Sequence, residues 1–510
     1  MWSKKTSRIV SSQTALTFTA MRSALLWMLI LFVGLFHVLT VAYSPLPRTA
    51  EVVYASHLYG QVDLKACLDV ARPDFTYTPV FFKVTGWFTH GSFPSIFRYR
   101  IAGLLAGLLC LPLIYLMAHW AGMRKLYADL LLLLLCFEPG YALLLHNGQA
   151  DTVALLLVLL GLAVLTRRAV PGYGHYGISG LLLGLATLTI MPMFWIGLVL
   201  AAWLVFKGIR HTGWQAKIGA FLFVLGMLMP VWLYVVWSGG TLASWWTALM
   251  GWRIPVVNYT LPTASEHQWW YIYPWHYAIV LAGVIIVVLW IVRHGLSLSA
   301  PLASSILVIG AYFVLVQPQT GNSAFALPLI YFSLLFMADF IGQQIGWYAA
   351  RPWVLGVVGN NIAFSAGAII LVMSSLGGRD YAMADYEIRT RVAPGQTVAA
   401  DARYYFSIIK NGGTHLLIST TSLLTKTKET PLPTCLTGPD RPDYVLLHET
   451  TLQNKQGFWP QIALVYDTLP KTKLRSYIPM QNLSRNQYGW LAQRNQEWQM
   501  NYDGILLKAR

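Results

Sequence analysis

Residues 51–79 read EVVYASHLYGQVDLKACLDVARPDFTYTP and follow the first long apolar stretch of the chain. Four of the 20 acidic residues fall in this segment, namely Glu51, Asp63, Asp69 and Asp74. Ionised carboxylates beside a membrane are costly unless they bind a partner or take part in a reaction. The segment therefore predicts a functional site at the membrane edge, with one of these acids as a catalytic base.

The composition excludes a string of soluble domains. Of the 510 residues, 56% are hydrophobic and 11% are charged, whereas soluble proteins carry about 25% charged residues. The net charge of +16 lies largely in short loops between apolar stretches, as the positive-inside rule requires. Because no basic run with interleaved aromatic residues occurs, we predict membrane lipids as the counter-charge and no nucleic acid partner.

Apolar runs predict about eleven membrane-spanning helices, since each needs roughly 20 residues. The first, residues 23–43, follows Lys4, Lys5 and Arg8 and is predicted to be an uncleaved anchor with a cytoplasmic N-terminus. Residues 126–145 are predicted to form one span. Residues 176–206 are predicted to form two short helices hinged at Pro192, because this leaves the basic clusters on both sides of them in the cytoplasm.

The chain is thus predicted to be a polytopic α-helical membrane protein with a C-terminal external α/β domain. Residues 1–376 form the transmembrane module, with a first external loop over 44–100, and residues 377–510 form the soluble domain. An odd number of spans sets this domain outside the plasma (inner) membrane, as a periplasmic domain. Strands are expected at 397–400, 415–418, 444–447 and 504–507, with a helix over 403–411.

Two cysteines, Cys67 and Cys435, lie in the two large polar regions. These two cysteines can form a disulfide if both face an oxidising compartment, but their spacing in the sequence does not show whether they do. Cys110 and Cys136 lie in apolar runs and are predicted to be buried.

The polar features fall on the predicted external face. They are the acidic loop, the tip HNGQAD at 146–151, the loop that contains Arg253, the turn at 317–322 and the C-terminal domain. Nucleotide-activated substrates are made on the opposite side. A reaction at this face therefore needs an activated substrate that arrives through the lipid phase.

Three motifs resemble those of the GT-C glycosyltransferases. Residues 51–60, EVVYASHLYG, and 74–79, DFTYTP, are similar to the first-loop pattern of that family, and HNGQAD resembles its "GQ-x-D" tip. Residues 180–192, GLLLGLATLTIMP, resemble its broken hairpin. Two positions depart from the pattern: Ile190 replaces the usual lysine, and Glu51 stands where the family more often has aspartate.

The resemblance implies transfer of a sugar from a polyprenyl-phosphate carrier to a glycan, lipid or protein acceptor. Such a reaction needs a base for the acceptor hydroxyl and cationic or hydrogen-bonding groups for the departing phosphate. Glu51 is the leading candidate for the base, with Asp63 and Asp74 as rivals. The expected substrate-binding residues are Tyr54, Tyr77, His146, Gln149, Asp151, Arg253 and His267, with His276 and Arg72 as further phosphate ligands. No metal or other cofactor is predicted, although some branches of the family use a divalent ion.

Structural alternatives stand beside these roles. Each loop acid is equally explained as a solvated carboxylate or as the partner of Lys65 or Arg72, and Asp151 as a residue that caps the fourth span. Glu138, inside a span, is either functional or bonded to a neighbouring helix. For the whole chain the alternatives are a transporter or flippase of a lipid-linked saccharide, and an assembly protein that has lost catalysis. Acids clustered at one surface and the absence of a sequence repeat favour the enzyme.

Overall fold

The structure is a computed structural model that describes part of the chain. The described residues are 24, 26–42, 49–60, 62–63, 75–90, 94–146, 148–167, 172–210, 214–252, 300–317, 323–345, 359, 381–418, 434–448, 461–469 and 504–510. The chain divides into two compact units, Met1–Thr40 and Val41–Arg510. In the first unit, helix α1 (Leu26–Thr40) ends where the Thr40 hydroxyl donates to the carbonyl of Phe36 at 2.8 Å.

The second unit is mainly helical up to residue 345. Its helices in this part are α2 Thr49–Tyr59, α3 Pro79–Thr89, α4 Ile96–Trp120, α5 Lys125–Cys136, α6 Pro139–His146, α7 Asp151–Thr166, α8 Tyr173–Thr187, α9 Met193–Arg210, α10 Trp214–Trp237, α11 Leu242–Gly251, α12 Ala300–Ala311 and α13 Leu327–Ile345. Among the described residues, Ile96–Trp120 and Ala216–Trp237 are long and apolar enough to cross a membrane. The other apolar helices are shorter. The predicted domain boundary at 376 lies outside the described residues.

The stretch predicted as one span over 126–145 is two helices. α5 ends at Cys136 and α6 begins at Pro139, because proline lacks the N–H that would continue the first helix and is favoured at a helix start. Glu138, at the break, accepts a hydrogen bond of 2.5 Å from the hydroxyl of Tyr331 in α13. The structure therefore supports the reading of Glu138 as a residue bonded to a neighbouring helix.

The predicted hinge near Pro192 lies between α8 and α9, which end and begin at Thr187 and Met193. Gly180 of α8 faces the backbone of α10. A Cβ at Gly180 would lie 3.0 Å from the amide nitrogen of Met227 and closer still to the carbonyl of Phe223. The glycines of the GLLLG motif thus allow two helix backbones to approach closely, as small residues do in membrane proteins.

The C-terminal part is a six-stranded sheet with helices on both faces. Its elements are α14 Tyr381–Arg391, β2 Thr397–Ala400, α15 Tyr405–Lys410, β3 Thr414–Leu417, α16 Thr434–Thr437, β4 Tyr444–His448, β5 Tyr466–Thr468 and β6 Gly504–Ala509. The strand order is β1-β3-β2-β4-β6-β5, in which β1 is Val62–Asp63 of the first loop. β1, β3, β2 and β4 run parallel to one another, and β6 pairs antiparallel with both β4 and β5.

The two faces of the sheet bury alternate residues of each strand, as a period of two requires. Val398 and Leu446 pack on one face with Ile388 and Ile408 from the helices. On the other face the neighbouring residues of the same strands pack against Leu436 and Ile462. The first loop of the chain thereby supplies an edge strand to a sheet whose other strands lie more than 300 residues later.

The two ends of α4 differ in their polar contacts. At its far end the guanidinium of Arg167 lies 5.4 Å from the ring centre of Trp120, and Arg124, just beyond, pairs with Asp339 of α13. Arg100 lies near the other end, within the first quarter of the helix. A helix of 25 residues is about 37 Å long, so these clusters lie far apart along the helix axis.

Gly180→Ala is expected to lower the thermal unfolding temperature of the detergent-solubilised protein. The added methyl group overpacks the contact with α10, which typically costs about 1–3 kcal/mol. Gly177→Ala is the matched control, because a Cβ at Gly177 meets nothing within 4 Å and alanine favours the helix. Equal unfolding temperatures for the two variants would contradict the close approach of α8 and α10.

We also predict that Cys67 is the partner of Cys435. Cys435 is disulfide-bonded, Cys110 and Cys136 are free and buried, and Cys67 is the one further cysteine of the sequence, outside the described residues. Mass spectrometry of a non-reduced digest should recover the peptide pair that joins residues 67 and 435. Recovery of both cysteines as free thiols from protein made in an oxidising compartment would refute the pairing.

Candidate active site at the first loop

The first loop contains a buried helix. The residues of α2 from Val52 to Ala55 are fully buried, and the helix ends at Gly60. Gly60 has φ +67, the left-handed conformation that glycine adopts without strain at a helix end, and its N–H donates to the carbonyl of Ser56 at 2.8 Å. The buried first half of this helix makes a rigid support for the acid at its start.

Glu51 forms a buried bidentate ion pair with Arg100 of α4. The Nε of Arg100 donates to Oε1 at 2.7 Å and its Nη2 donates to Oε2 at 2.6 Å. The side chains are 1% and 0% exposed, and Nη1 donates to the carbonyl of Val41 at 2.8 Å. Arg100 is thus a partner of Glu51, and the alternative partners Lys65 and Arg72 lie outside the described residues. Sequence reasoning missed Arg100 because the residue was counted with the first external loop, whereas the helix begins at Ile96 and carries this arginine in its second turn.

The tip at 146–151 lies directly on this pair. Gly148 has φ +60, and a Cβ there would overlap Oε1 of Glu51 and lie 2.8 Å from Cε1 of Tyr99. Both the backbone conformation and the space require glycine. His146, Gln149 and Asp151 are buried. The structure thus brings together two of the three sequence motifs, the first loop and the tip.

Tyr54 and Asp151 belong to the same cluster. Tyr54 is fully buried, and its ring packs against those of Phe75 and Phe81 at 5.0 and 5.6 Å. Burial raises the pKa of the Tyr54 phenol well above its usual value, and the nearby charge of Asp151 raises it further. Asp151 is the first residue of α7, whose N-cap is Ala150, so the carboxylate lies in the favourable first turn of the helix.

Two further segments reach the first loop. The hydroxyl of Tyr77 lies 2.7 Å from Oγ of Ser244 in α11, and Ser244 also closes the capping box that begins this helix at Thr241. The N–H of Val80 donates to the carbonyl of Leu188 in the α8–α9 hinge at 3.2 Å. The third motif, the broken hairpin, therefore also touches the first loop. Sequence reasoning did not identify Ser244.

The C-terminal domain contacts the other end of α2. The hydroxyl of Tyr405 donates to the carbonyl of Gly60 at 3.1 Å, and Val62 and Asp63 pair with His415 and Leu416 across β1 and β3. Asp63, a rival for the base, thus has its backbone in the edge strand of the sheet. The domain extends the first loop by direct hydrogen bonding.

Several predicted site residues lie outside the described residues, namely Asp74, Arg253, His267, His276 and Arg72. Within the described ranges, no group of three histidine, cysteine, aspartate or glutamate side chains is arranged to hold a metal ion. The described part of the site is thus built from one ion pair, a glycine-tipped turn, buried tyrosines and the carboxylate of Asp151.

Comparison with solved structures identifies the fold. ArnT from Cupriavidus metallidurans bound to undecaprenyl phosphate is similar over 95% of this chain and 97% of its own, with a TM-score of 0.50 and 13% identity. The apo state of the same protein has a TM-score of 0.49 at 11% identity, over 96% of this chain and 98% of its own. The Archaeoglobus fulgidus oligosaccharyltransferase tethered to an acceptor peptide has a TM-score of 0.48 at 10% identity. This similarity covers 87% of this chain and 72% of the oligosaccharyltransferase. No family model and no curated protein matches the sequence.

At this identity the likeness to ArnT establishes the fold. ArnT is a GT-C protein, so the predicted resemblance to GT-C proteins is confirmed at the level of architecture, and the chain has a polytopic helical membrane fold. The number of spans stays a prediction.

Gly148→Ala is expected to destabilise the protein more than Gly122→Ala. Both glycines have positive φ, +60 and +84, but a Cβ at Gly122 meets nothing within 4 Å. Gly122→Ala, the control, therefore carries only the backbone strain of about 1–2 kcal/mol. Gly148→Ala carries this strain and also displaces the Glu51 carboxylate. Thermal unfolding in detergent measures the difference, and equal losses would contradict the contact between the tip and the first loop.

Proposed function

Because the chain has the fold of ArnT, we propose that it is a glycosyltransferase that moves a sugar from a polyprenyl-phosphate carrier to an acceptor at the external membrane face. The observation that carries the proposal is that the tip closes on the Glu51 carboxylate at Gly148, beside its ion pair with Arg100, while the hinge of the broken hairpin bonds to Val80 later in the first loop. The ArnT structure was solved with undecaprenyl phosphate bound, which supports a polyprenyl-linked donor. The acceptor belongs to the glycan, lipid or protein class.

The external location of the reaction is part of this proposal. The tip and the C-terminal sheet contact α2 or the residues that follow it, and the hinge contacts Val80 later in the first loop. The basic residues Arg124 and Arg167 lie at the other end of α4, as expected for cytoplasmic loops. This separation supports a periplasmic C-terminal domain in a plasma (inner) membrane protein. The cytoplasmic N-terminus is part of the proposal on the ground of the positive-inside rule alone.

Glu51 is the proposed general base. The guanidinium of Arg100 favours the ionised carboxylate, the form that accepts a proton, and fixes the direction of both oxygen atoms. Because a carboxylate offers about four acceptor sites, an acceptor hydroxyl at the tip is able to bond to the same carboxylate. Transfer depends on close positioning of the acceptor. Asp63 and Asp74 remain the competing assignments.

The buried side chains near Glu51 are assigned the other roles. Tyr54 and Asp151, with His146 and Gln149 of the tip, are proposed to bind the sugar or acceptor, and Tyr77 to fix the loop through Ser244. Arg253 and His267 are proposed to stabilise the departing phosphate, which needs cationic or hydrogen-bonding groups. The proposal includes no metal ion or other cofactor.

Purified protein in lipid nanodiscs, supplied with a polyprenyl-phosphate-linked sugar and a panel of acceptors, is expected to release free polyprenyl phosphate in step with glycosylated product. Both substances are measurable by mass spectrometry. Movement of the intact donor across sealed vesicles without release of lipid phosphate would instead indicate a flippase. The absence of both activities with every donor would support the assembly protein.

A catalytic role of Glu51 can be separated by experiment from its structural role in the ion pair. Glu51→Gln removes one charge of a buried ion pair, which typically costs about 3–5 kcal/mol, so loss of activity in this variant alone proves little. The double variant Glu51→Gln/Arg100→Gln removes both charges and is expected to recover stability while kcat stays reduced by about 10²–10⁴-fold. Recovered activity in the double variant would show that Glu51 only anchors Arg100, and Asp63→Asn and Asp74→Asn would then decide the base.

A further inference from the structure

We propose that the C-terminal domain sets the geometry of the transferase site through Tyr405 and Phe406, two positioning residues at the start of α15. The inference rests on the proposed function, since it concerns the same site. It assigns the C-terminal domain a part in transfer that does not require it to bind either substrate.

Tyr405 fixes the C-terminal end of α2. Its hydroxyl donates to the carbonyl of Gly60 at 3.1 Å, in the residue where the chain leaves the helix with a positive φ. Two residues later the chain enters β1, where Val62 pairs with His415. The backbone between 60 and 63 is therefore tied to the C-terminal domain at successive points, which prevents α2 from shifting along its axis.

Phe406 acts on the other side of the site. Its ring centre lies 6.3 Å from that of Tyr59 in α2 and 5.7 Å from that of Tyr99 in α4. Tyr99 in turn lies against the Cα of Gly148, next to the Glu51 carboxylate. One aromatic ring thus separates the C-terminal domain from the ion pair and the tip.

The two side chains stand on a rigid support. The 3-10 turn before α15, Ala402–Tyr404, is capped by Asp401, whose carboxylate accepts from the N–H of Arg403 at 3.0 Å and from its Nε at 2.9 Å. The ring of His415 lies 5.7 Å from that of Tyr405, and its Nε2 bonds to the carbonyl of Ala400 at 2.9 Å. Burial lowers the pKa of His415 to about 4, so the imidazole of this support is uncharged near neutral pH.

A support of this kind matters because transfer needs the reacting atoms held at near-bonding distance, and an error of about 1 Å can reduce the rate by about 10²-fold. α2 carries Glu51 at its first turn and contacts Tyr405 and Phe406 beyond its last. A shift at one end of a rigid helix moves the other end by the same distance. The C-terminal contacts therefore act on the carboxylate through the helix itself.

The test compares Tyr405→Phe with Tyr444→Phe. Each removes one phenol hydrogen bond to a backbone carbonyl, at 3.1 Å to Gly60 and at 3.0 Å to Arg391, but the second bond lies wholly within the C-terminal domain. Both should unfold at similar temperatures, since each loses one hydrogen bond of about 1 kcal/mol. Tyr405→Phe is expected to lower kcat by about tenfold with an unchanged KM for the lipid donor. Equal kcat values in the two variants would overturn the proposal.

Phe406→Ala supplies a second, larger perturbation, with Phe406→Leu as the conservative variant that keeps most of the contact with Tyr99. We expect kcat to fall by about 10²-fold for alanine and to recover largely for leucine. If kcat falls in both variants only in proportion to the fall in their unfolding temperatures, a positioning role is contradicted.

Amide hydrogen exchange separates this inference from the proposed function. Peptides that cover residues 49–63 are expected to exchange faster in Tyr405→Phe and Phe406→Ala than in Tyr444→Phe, whatever reaction the protein performs. If they do so while the unaltered protein transfers no sugar, the proposed function fails and the link between the domain and α2 stands. If transfer is observed but exchange in α2 is unchanged, the link fails.

Discussion

The buried pair of Glu51 and Arg100 is the constraint on which the site depends. Both side chains are almost completely excluded from solvent, so each charge is tolerable only while the other is present, and separating them costs about 3–5 kcal/mol. The pair joins α2 to α4, and its third bond holds the carbonyl of Val41. Gly148 then closes over the carboxylate, which restricts the tip to a residue without a side chain. One ion pair thereby sets the positions of three segments that are distant in sequence.

The C-terminal domain also contacts the first loop. β1 pairs with β3, and Gly60 bonds to Tyr405, across more than 340 residues of sequence. Contacts between such distant residues form late, because the entropy of closing the loop must be overcome before they stabilise anything. The helical module is synthesised first, and α2 acquires its final support only after the C-terminal sheet has folded. A site built in this way is assembled only in the full-length chain.

Sequence reasoning succeeded where the signal is local. Hydropathy predicted the membrane protein, Pro192 predicted the hinge between α8 and α9, and alternating apolar residues predicted the positions of β2, β3, β4 and β6. It failed where the partner is remote: nothing near Glu51 indicates that its carboxylate meets Arg100, and a two-residue strand such as β1 has too few residues for a period to be visible. The break at Glu138 was missed because the apolar run continues through Pro139, and hydropathy does not register a missing N–H.

One departure from the GT-C pattern, Ile190 in place of lysine, gains a physical explanation in this structure. Ile190 and Met191 are fully buried in the hinge, and the carbonyl of Leu188 beside them is bonded to Val80 of the first loop. A lysine at position 190 would carry a charge into an apolar contact, at a cost of several kcal/mol unless it were paired or neutral. The hinge of this chain therefore supports the first loop by packing, without a cation of its own. For the proposed transfer, the positive charge that meets the departing phosphate must come from another element, which is the role proposed for Arg253.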